Sequence, residues 1–500
     1  MSIRKSIYLL SLILVMTLKD AFPQTSQVLY YMNIPQNHLD NPALKPTNSS
    51  YIGIPLLTGL DFTINNNFVN FSDIIMKGQK NDSLISVLHK DYNIDNFINK
   101  LKVSNFITPE ISIQVLGLGF TAGKDLYITF DMVDRIYTNI AIPKDLFLLA
   151  LKGNSSFVGS TMDLSGFDAQ IRYWHEFGMG VSKNFGSNLR IGIRPKILLG
   201  VADFSINNQA LGLKVNKDDY SWDFNANLTA NISGPVKVYT SNKNTIDSIK
   251  FDENKFKKGS GNDVDINKVM NSFFNKQNMG LGIDLGAQYS ITSKLQVSAS
   301  ITDLGYIRWK SDITNLKAES TFKFNGFNVT DVVNGSKTMN ELAQDMADSI
   351  KNSFSITNGS KPYNTALPVG INLGGSYNIT KNISFGLLSH SILSNSKLRE
   401  ALTLSANINL GSALSTSICY TAENGRFDNL GAGLAFRLGI FQFYFIADRI
   451  PVTFNRITSD NNSYVVPATW NTFNTRFGIN LAFGNNVKKA NDKPMIIEKK

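Results

Sequence analysis

Three cations alternate along one short stretch, Arg190, Arg194 and Lys196, with Ile191, Ile193 and Ile197 between them. In an extended chain successive side chains point to opposite faces, so the cations share one face and the isoleucines the other. Two uses are open for such a row. It can attract an anionic solute or hold an acidic segment, or it can balance carboxylates on neighbouring strands such as Asp284 and Asp223. Charge balance is the commoner arrangement.

Other chemistry is thinly represented. His38, His89, His175 and His390 are far apart and lack metal-ligand spacing. His175 stands beside Glu176, but strand neighbours face opposite ways, which separates them as a catalytic pair. Gly-x-Ser-x-Gly and His-Glu-x-x-His do not occur. The Gly-x-Gly pairs at Gly117 and Gly119, Gly178 and Gly180, and Gly431 and Gly433 lie inside strand patterns, where a phosphate cradle has no helix to open on. They read as small residues on a crowded face. Cys419 is the single cysteine, so there is no internal disulfide and no cysteine metal cluster. Neither an enzyme nor a cofactor is expected.

The elements that must position these residues are strands. From Val369 to Ile379, apolar odd positions alternate with Asn372, Gly374, Ser376 and Asn378. The pattern recurs through Phe483, joined by very short turns. Period two means one apolar face. A soluble strand usually shows Lys, Glu, Asp and Arg on the other; here that face is mostly Asn, Ser, Thr and Gly, which suits a hydrated lumen. Tyr220 to Ser233 alternates most cleanly of all and is predicted as a further spanning strand.

The N-terminus reads as a secretory signal, residues 1–24: Arg4 and Lys5, an apolar core from Ile7 to Leu18, then Ala21. That core is too short to act as a stop-transfer helix, and no later stretch is long and apolar enough for one. The net charge of +10 is scattered; with an export signal it points away from nucleic acid and toward anionic lipopolysaccharide. Tight turns near Ala122, Asn184, Gly234, Ser293, Lys381, Ser412 and Gly439 alternate with long connections. Short turns on the periplasmic side and long loops outside are how outer-membrane barrels are built. The count gives 16 strands, with 14 as the alternative. Tyr289, Tyr377, Phe436 and Phe483 precede short turns or the chain's exit on the apolar face, as an interfacial aromatic belt would.

The Asn41-Pro42-Ala43-Leu44 box, Tyr51-Ile52-Gly53-Ile54-Pro55, Arg194-Pro195-Lys196, Thr302-Asp303-Leu304-Gly305 with Trp309, and Leu367-Pro368 together resemble a Bacteroidetes outer-membrane barrel family of unknown function. The Asn-Pro-Ala box alone is similar to one near the plug of the long-chain fatty acid outer-membrane transporter family. The first resemblance implies fold and location and leaves activity open. A departure is the polar tail 485–500 after Phe483, where such barrels end on an aromatic; assembly by the barrel assembly machinery would then use an internal strand signal.

The reading is an all-β, transmembrane antiparallel outer-membrane β-barrel of about 14–16 strands over 52–484. It carries short helices and long loops at about 66–109, 241–279 and 310–366. Residues 25–51, with Asn41, Pro42 and Ala43, form a periplasmic plug-like segment, and Arg190, Arg194, Lys196 and Asp284 are candidate lumen-lining residues. The expected function is a channel or transporter for small or hydrophobic molecules, with an anionic solute also open; the alternative is a non-transporting scaffold or surface-interaction protein.

Overall fold

The computed structural model describes residues 27–484 except residue 75, 78–83, 87–88, 90–91, 241–245, 260–262, most of 326–351, 395–396, 424–425, 452, 460–461 and 469–470. The signal-like residues 1–24 and the polar tail 485–500 lie outside the described residues.

Fourteen antiparallel strands form a closed barrel. They are β1, broken into Ser50–Gly53 and Gly59–Asn66, β2 Ser104–Ala122, β3 Leu126–Pro143, β4 Asp168–Phe185 and β5 Leu189–Val215. Then come β6 Met279–Ser290, β7 Leu295–Trp309, β8 Val369–Asn378, β9 Ile383–Ser394 and β10 Lys397–Leu410. β11 Leu414–Glu423, β12 Arg426–Leu438, β13 Phe441–Ile450 and β14 Thr472–Phe483 complete the wall. β14 pairs with β13 on one side and with both pieces of β1 on the other, so no edge is left open.

The alternation resolves inside out. Leu404, Ile418 and Phe445 are 56%, 62% and 56% exposed, while Asn407, Ser417 and Asn480 are buried. In water that distribution would forfeit about 25 cal/mol for each Å² of apolar surface left out. Against lipid it is the stable arrangement, because a closed barrel satisfies its backbone internally and turns an apolar band outward. Tyr289 and Tyr377 lie on that outward face next to the short turns. The architecture is that of an outer-membrane barrel, and it places the protein in the outer membrane.

The count of 16 is corrected to 14, and the reason lies in β5. Its first part, Leu189 to Leu199, pairs with β6 in the barrel wall. Its second, Asp203 to Val215, continues past the wall and pairs with Trp222–Ser233, which pairs in turn with Ile313–Phe324. Residues 206–218 are thus mostly strand, and the Tyr220 to Ser233 stretch extends an outer sheet without crossing the membrane. Its apolar residues Trp222 and Phe224 pack with Leu213, Met162 and Phe157 beneath the helix Lys144–Lys152. The turn at Gly234 belongs to this outer side, where Val236–Thr240 pairs with Ile246–Phe251. Period two reports that one face is apolar; it does not report what that face meets. Asp223 lies on this extension and accepts from Asn216 at 2.9 Å, so it is not a lumen carboxylate.

Short helices lie in the long connections, among them α1 Ile94–Lys100, α2 Lys144–Lys152 and α3 Ile266–Phe273. α1 and α3 start at Asn93 and Asp265, whose side chains accept from backbone amides of the first turn. In the connection 310–366 the sequence places a capped amphipathic helix, Thr338 and Glu341 followed by Leu342, Met346 and Ile350; Thr338 and Glu341 make the reciprocal capping bonds, whereas the other three lie outside the described residues.

Candidate functional site: a segment seated in the lumen

Residues 27–48 run through the barrel interior in two short 3-10 turns, Leu29–Tyr31 and Pro35–Leu39. They pair with no strand. Side chains fasten them instead. The Gln36 amide exchanges hydrogen bonds with Asn480 of β14, both at 3.0 Å. The Tyr31 hydroxyl donates to the Gly375 and Leu387 carbonyls at 3.0 and 2.7 Å. The Val28 amide donates to Asp448 at 3.3 Å, and the Asn33 amide to Ser415 at 2.9 Å. Ser300 and Asn372 donate to the Asp40 carbonyl at 2.7 and 2.9 Å. Val28, Leu29, Met32 and Ile34 meanwhile form a buried apolar cluster with Ala435, Tyr444 and Ile446.

Glycines in the wall make room for this segment. A Cβ on Gly286 would lie 2.0 Å from the Asn41 side-chain oxygen, and one on Gly192 would lie 2.3 Å from the Pro42 carbonyl carbon. Gly433 and Gly431 stand against Met32 and Val28 in the same way. The Asn41-Pro42-Ala43 turn is closed on itself, since the Ala43 amide donates to the Asn41 Oδ1 at 2.9 Å while the Asn41 Nδ2 donates to the Tyr30 hydroxyl at 2.9 Å.

The three cations of β5 part company. Arg190 donates to Asn184 and Ser182, each at 2.8 Å, near the short turn between β4 and β5. Arg194 and Lys196 are completely withdrawn from solvent inside a cluster of carboxylates. Arg194 donates to Glu176 at 2.8 Å and Asp284 at 2.9 Å, with Asp131 at 3.3 Å. Lys196 reaches Asp284 at 2.6 Å and Asp303 at 2.5 Å. Arg135 closes the cluster from β3 through Glu176 and Asp303, at 3.2 and 3.1 Å. Desolvating so many charges is tolerable only because each finds partners of opposite sign. Gly178 belongs here too, for a Cβ there would sit 2.4 Å from the Arg194 guanidinium. The N-terminal segment joins the network where His38 Nε2 meets Asp131 at 2.7 Å.

Sequence reasoning named Arg194, Lys196 and Asp284 but missed Asp131, Glu176, Asp303, Arg135 and His38. Strand phase could have found the wall residues; nothing local marked His38. His175 and Glu176 do lie on opposite faces, His175 bonding Asp134 at 2.6 Å on the outer wall while Glu176 points inward.

Two hollows flank the segment along the barrel axis. On the side of the long connections is a chamber of about 110 Å³, floored by Leu39 and Asp40 and walled by Glu110, Trp174, Thr302 and Asn372 among others. On the side of the short turns is a wider vestibule of about 590 Å³, roofed by Tyr31, Asn33 and Leu44 and walled by Gln296 and Ser376 among others. The same strands line both: β7 gives Thr302 to one and Gln296 to the other, and β8 gives Asn372 and Ser376. Asp40 Oδ2 has no hydrogen-bond partner.

A family model described as a family of unknown function (DUF5723) matches residues 42–448. No curated protein matches the sequence. Among solved structures the chain is similar to the toluene transporter TbuX of Ralstonia pickettii, at 8% identity and a TM-score of 0.40 over 94% of this chain and 100% of that one. It is similar to a Pseudomonas aeruginosa FadL homologue at 10% identity and a TM-score of 0.40, over 92% and 98%. A third is the monoaromatic hydrocarbon channel CymD, at 9% and a TM-score of 0.39, over 94% and 99%.

Proposed function

The chain belongs to this family of unknown function, and from its geometry we propose an outer-membrane channel for small or hydrophobic molecules, closed by residues 27–48 acting as a plug. One observation carries the reading: chamber and vestibule lie in series along β7 and β8, separated only by the segment around Asp40. A 14-stranded wall encloses more width than its own side chains fill. What fills it here is held by side-chain hydrogen bonds and apolar contact, so it can leave without breaking a strand pair. The chamber wall mixes Ile111, Ile136, Trp174 and Leu367 with charged groups, which suits a solute that is mainly apolar with a polar end.

The experiment is conductance and solute uptake in proteoliposomes, comparing the intact chain with one lacking residues 27–48. The intact barrel should be mostly closed and the shortened one open. A shortened barrel that is folded yet passes neither ions nor solutes would end the channel reading. The outer sheet built on β5 favours a second reading, a surface scaffold, for which capture of a partner from intact outer membranes is the test.

A further inference from the structure

The insertion between Pro235 and Met279 folds back against the outside of the barrel. Phe273 at the end of α3 packs on Tyr173 with ring centroids 6.3 Å apart, and Phe274 stacks on His175 at 5.0 Å. Tyr173 and His175 share the outward phase of β4 with Ile171 and Met179, which are exposed on the lipid-facing wall. The outer wall carries a polar pair at this height, His175 with Asp134, and the two phenylalanines pack against the histidine.

On its far side the insertion is apolar as well. Ile266 and Met270 of α3 are exposed, Ile266 to 73%. Between insertion and wall runs a groove of about 550 Å³ lined by Val201, Ala202, Pro235, Phe251, Phe256 and Val269. So much apolar surface on a loop in water would be a liability. Here it is continuous with the apolar band of the barrel, and an amphipathic helix lying along a bilayer is stable with its apolar side sunk among acyl chains.

We propose that residues 246–259 and 263–276 are seated in the outer leaflet, with lipid acyl chains covering the exposed face of α3 and entering the groove behind it. The occupant is lipid because the groove is lined mainly by apolar side chains, with Glu253, Lys257 and Ser272 the polar ones, and its wall side is the outward face of the barrel at Tyr173, Val201 and Ala202. The insertion thereby forms a collar that covers His175 and most of Asp134, whose side chains are 3% and 23% exposed.

The test is tryptophan fluorescence in proteoliposomes containing lipids brominated on the acyl chain. Ile266→Trp reports the outer face of α3 and Val269→Trp the groove; Leu404→Trp on the barrel wall serves as the lipid-exposed standard. Both test positions should lose fluorescence to bromine by a fraction comparable to the standard and resist iodide. Ile266 and Val269 lie on the insertion, so heat-modifiable migration of the barrel should be unchanged. Quenching by iodide with no response to bromine at both positions would overturn the proposal, whether or not the barrel conducts; bromine silence at Val269→Trp alone would overturn the occupied groove.

Discussion

His38 and Asp131 meet at 2.7 Å with both side chains fully shielded from solvent, one on the lumen segment and the other on β3. The other ring nitrogen of His38 lies 2.6 Å from the Pro35 carbonyl, so the imidazole ties the turn to itself and to the wall. Asp131 also accepts from Gln114 at 2.6 Å. This contact couples the lumen segment to the charge cluster around Arg194.

Removing it should loosen the plug without unfolding the barrel. Losing a buried hydrogen bond to a carboxylate costs about 1.5–3 kcal/mol, and the cost falls on docking because the wall keeps its strand pairs. His38→Ala should therefore raise the fraction of time a single channel spends open. An unaltered closed state would remove His38 from the plug's attachment.

Gly286→Val tests the same docking from the wall side. Valine suits a strand, but its Cβ would occupy the place of the Asn41 side-chain oxygen, 2.0 Å away. The variant should assemble and conduct more than the parent. If it assembles and stays closed, the Asn41-Pro42-Ala43 turn is not held at this point.

Arg194 is expected to matter for stability. Arg194→Ala leaves Glu176, Asp284 and Asp131 short of a cation and should cost roughly 3–5 kcal/mol. Arg190→Ala, which removes hydrogen bonds to the uncharged Asn184 and Ser182 and strands no carboxylate, should cost less, about 1.5–3 kcal/mol. Urea unfolding in lipid vesicles measures both, and equal costs would contradict the separation of the two arginines.

Depth on the outer wall sets a further contrast. Leu404 pairs with Leu387 well inside the belt, whereas Ile408 pairs with Ile383 next to the short turn. Leu404→Lys should cost about 2–4 kcal/mol and Ile408→Lys about 0–1 kcal/mol, since the penalty falls toward the interface. The same unfolding measurement decides, and a reversed order would misplace the membrane.

Charge in the chamber should bias what passes. Asp40 and Glu110 both line it, one from the plug and one from β2. Arg135, Arg399 and Arg476 line it as well, and Glu110→Gln should shift reversal potentials of the open channel toward anions. No change would mean that solutes avoid the chamber.

The features legible in the sequence are those that depend on near neighbours. Strand existence, the short turns and the outward apolar face rest on residues two positions apart, and Val369 to Phe483 shows them directly. Along the chain Thr302-Asp303-Leu304-Gly305 is only a motif; its meaning, Asp303 at φ 59° holding Lys196 and Arg135, comes from the pairing of β7 with β6 and of β6 with β5.

The sequence alone determined that this chain forms amphipathic strands joined on alternate sides by short and long connections, because a period of two is a local property of an extended backbone. Only the tertiary structure decided that Trp222–Ser233 leaves the wall, that Arg194 meets Asp131, Glu176 and Asp284 from three other strands, and that residues 27–48 occupy the lumen. Those depend on strand register and closure, which bring together residues as much as 444 positions apart, as in Gln36 and Asn480. No pattern along the chain records that distance.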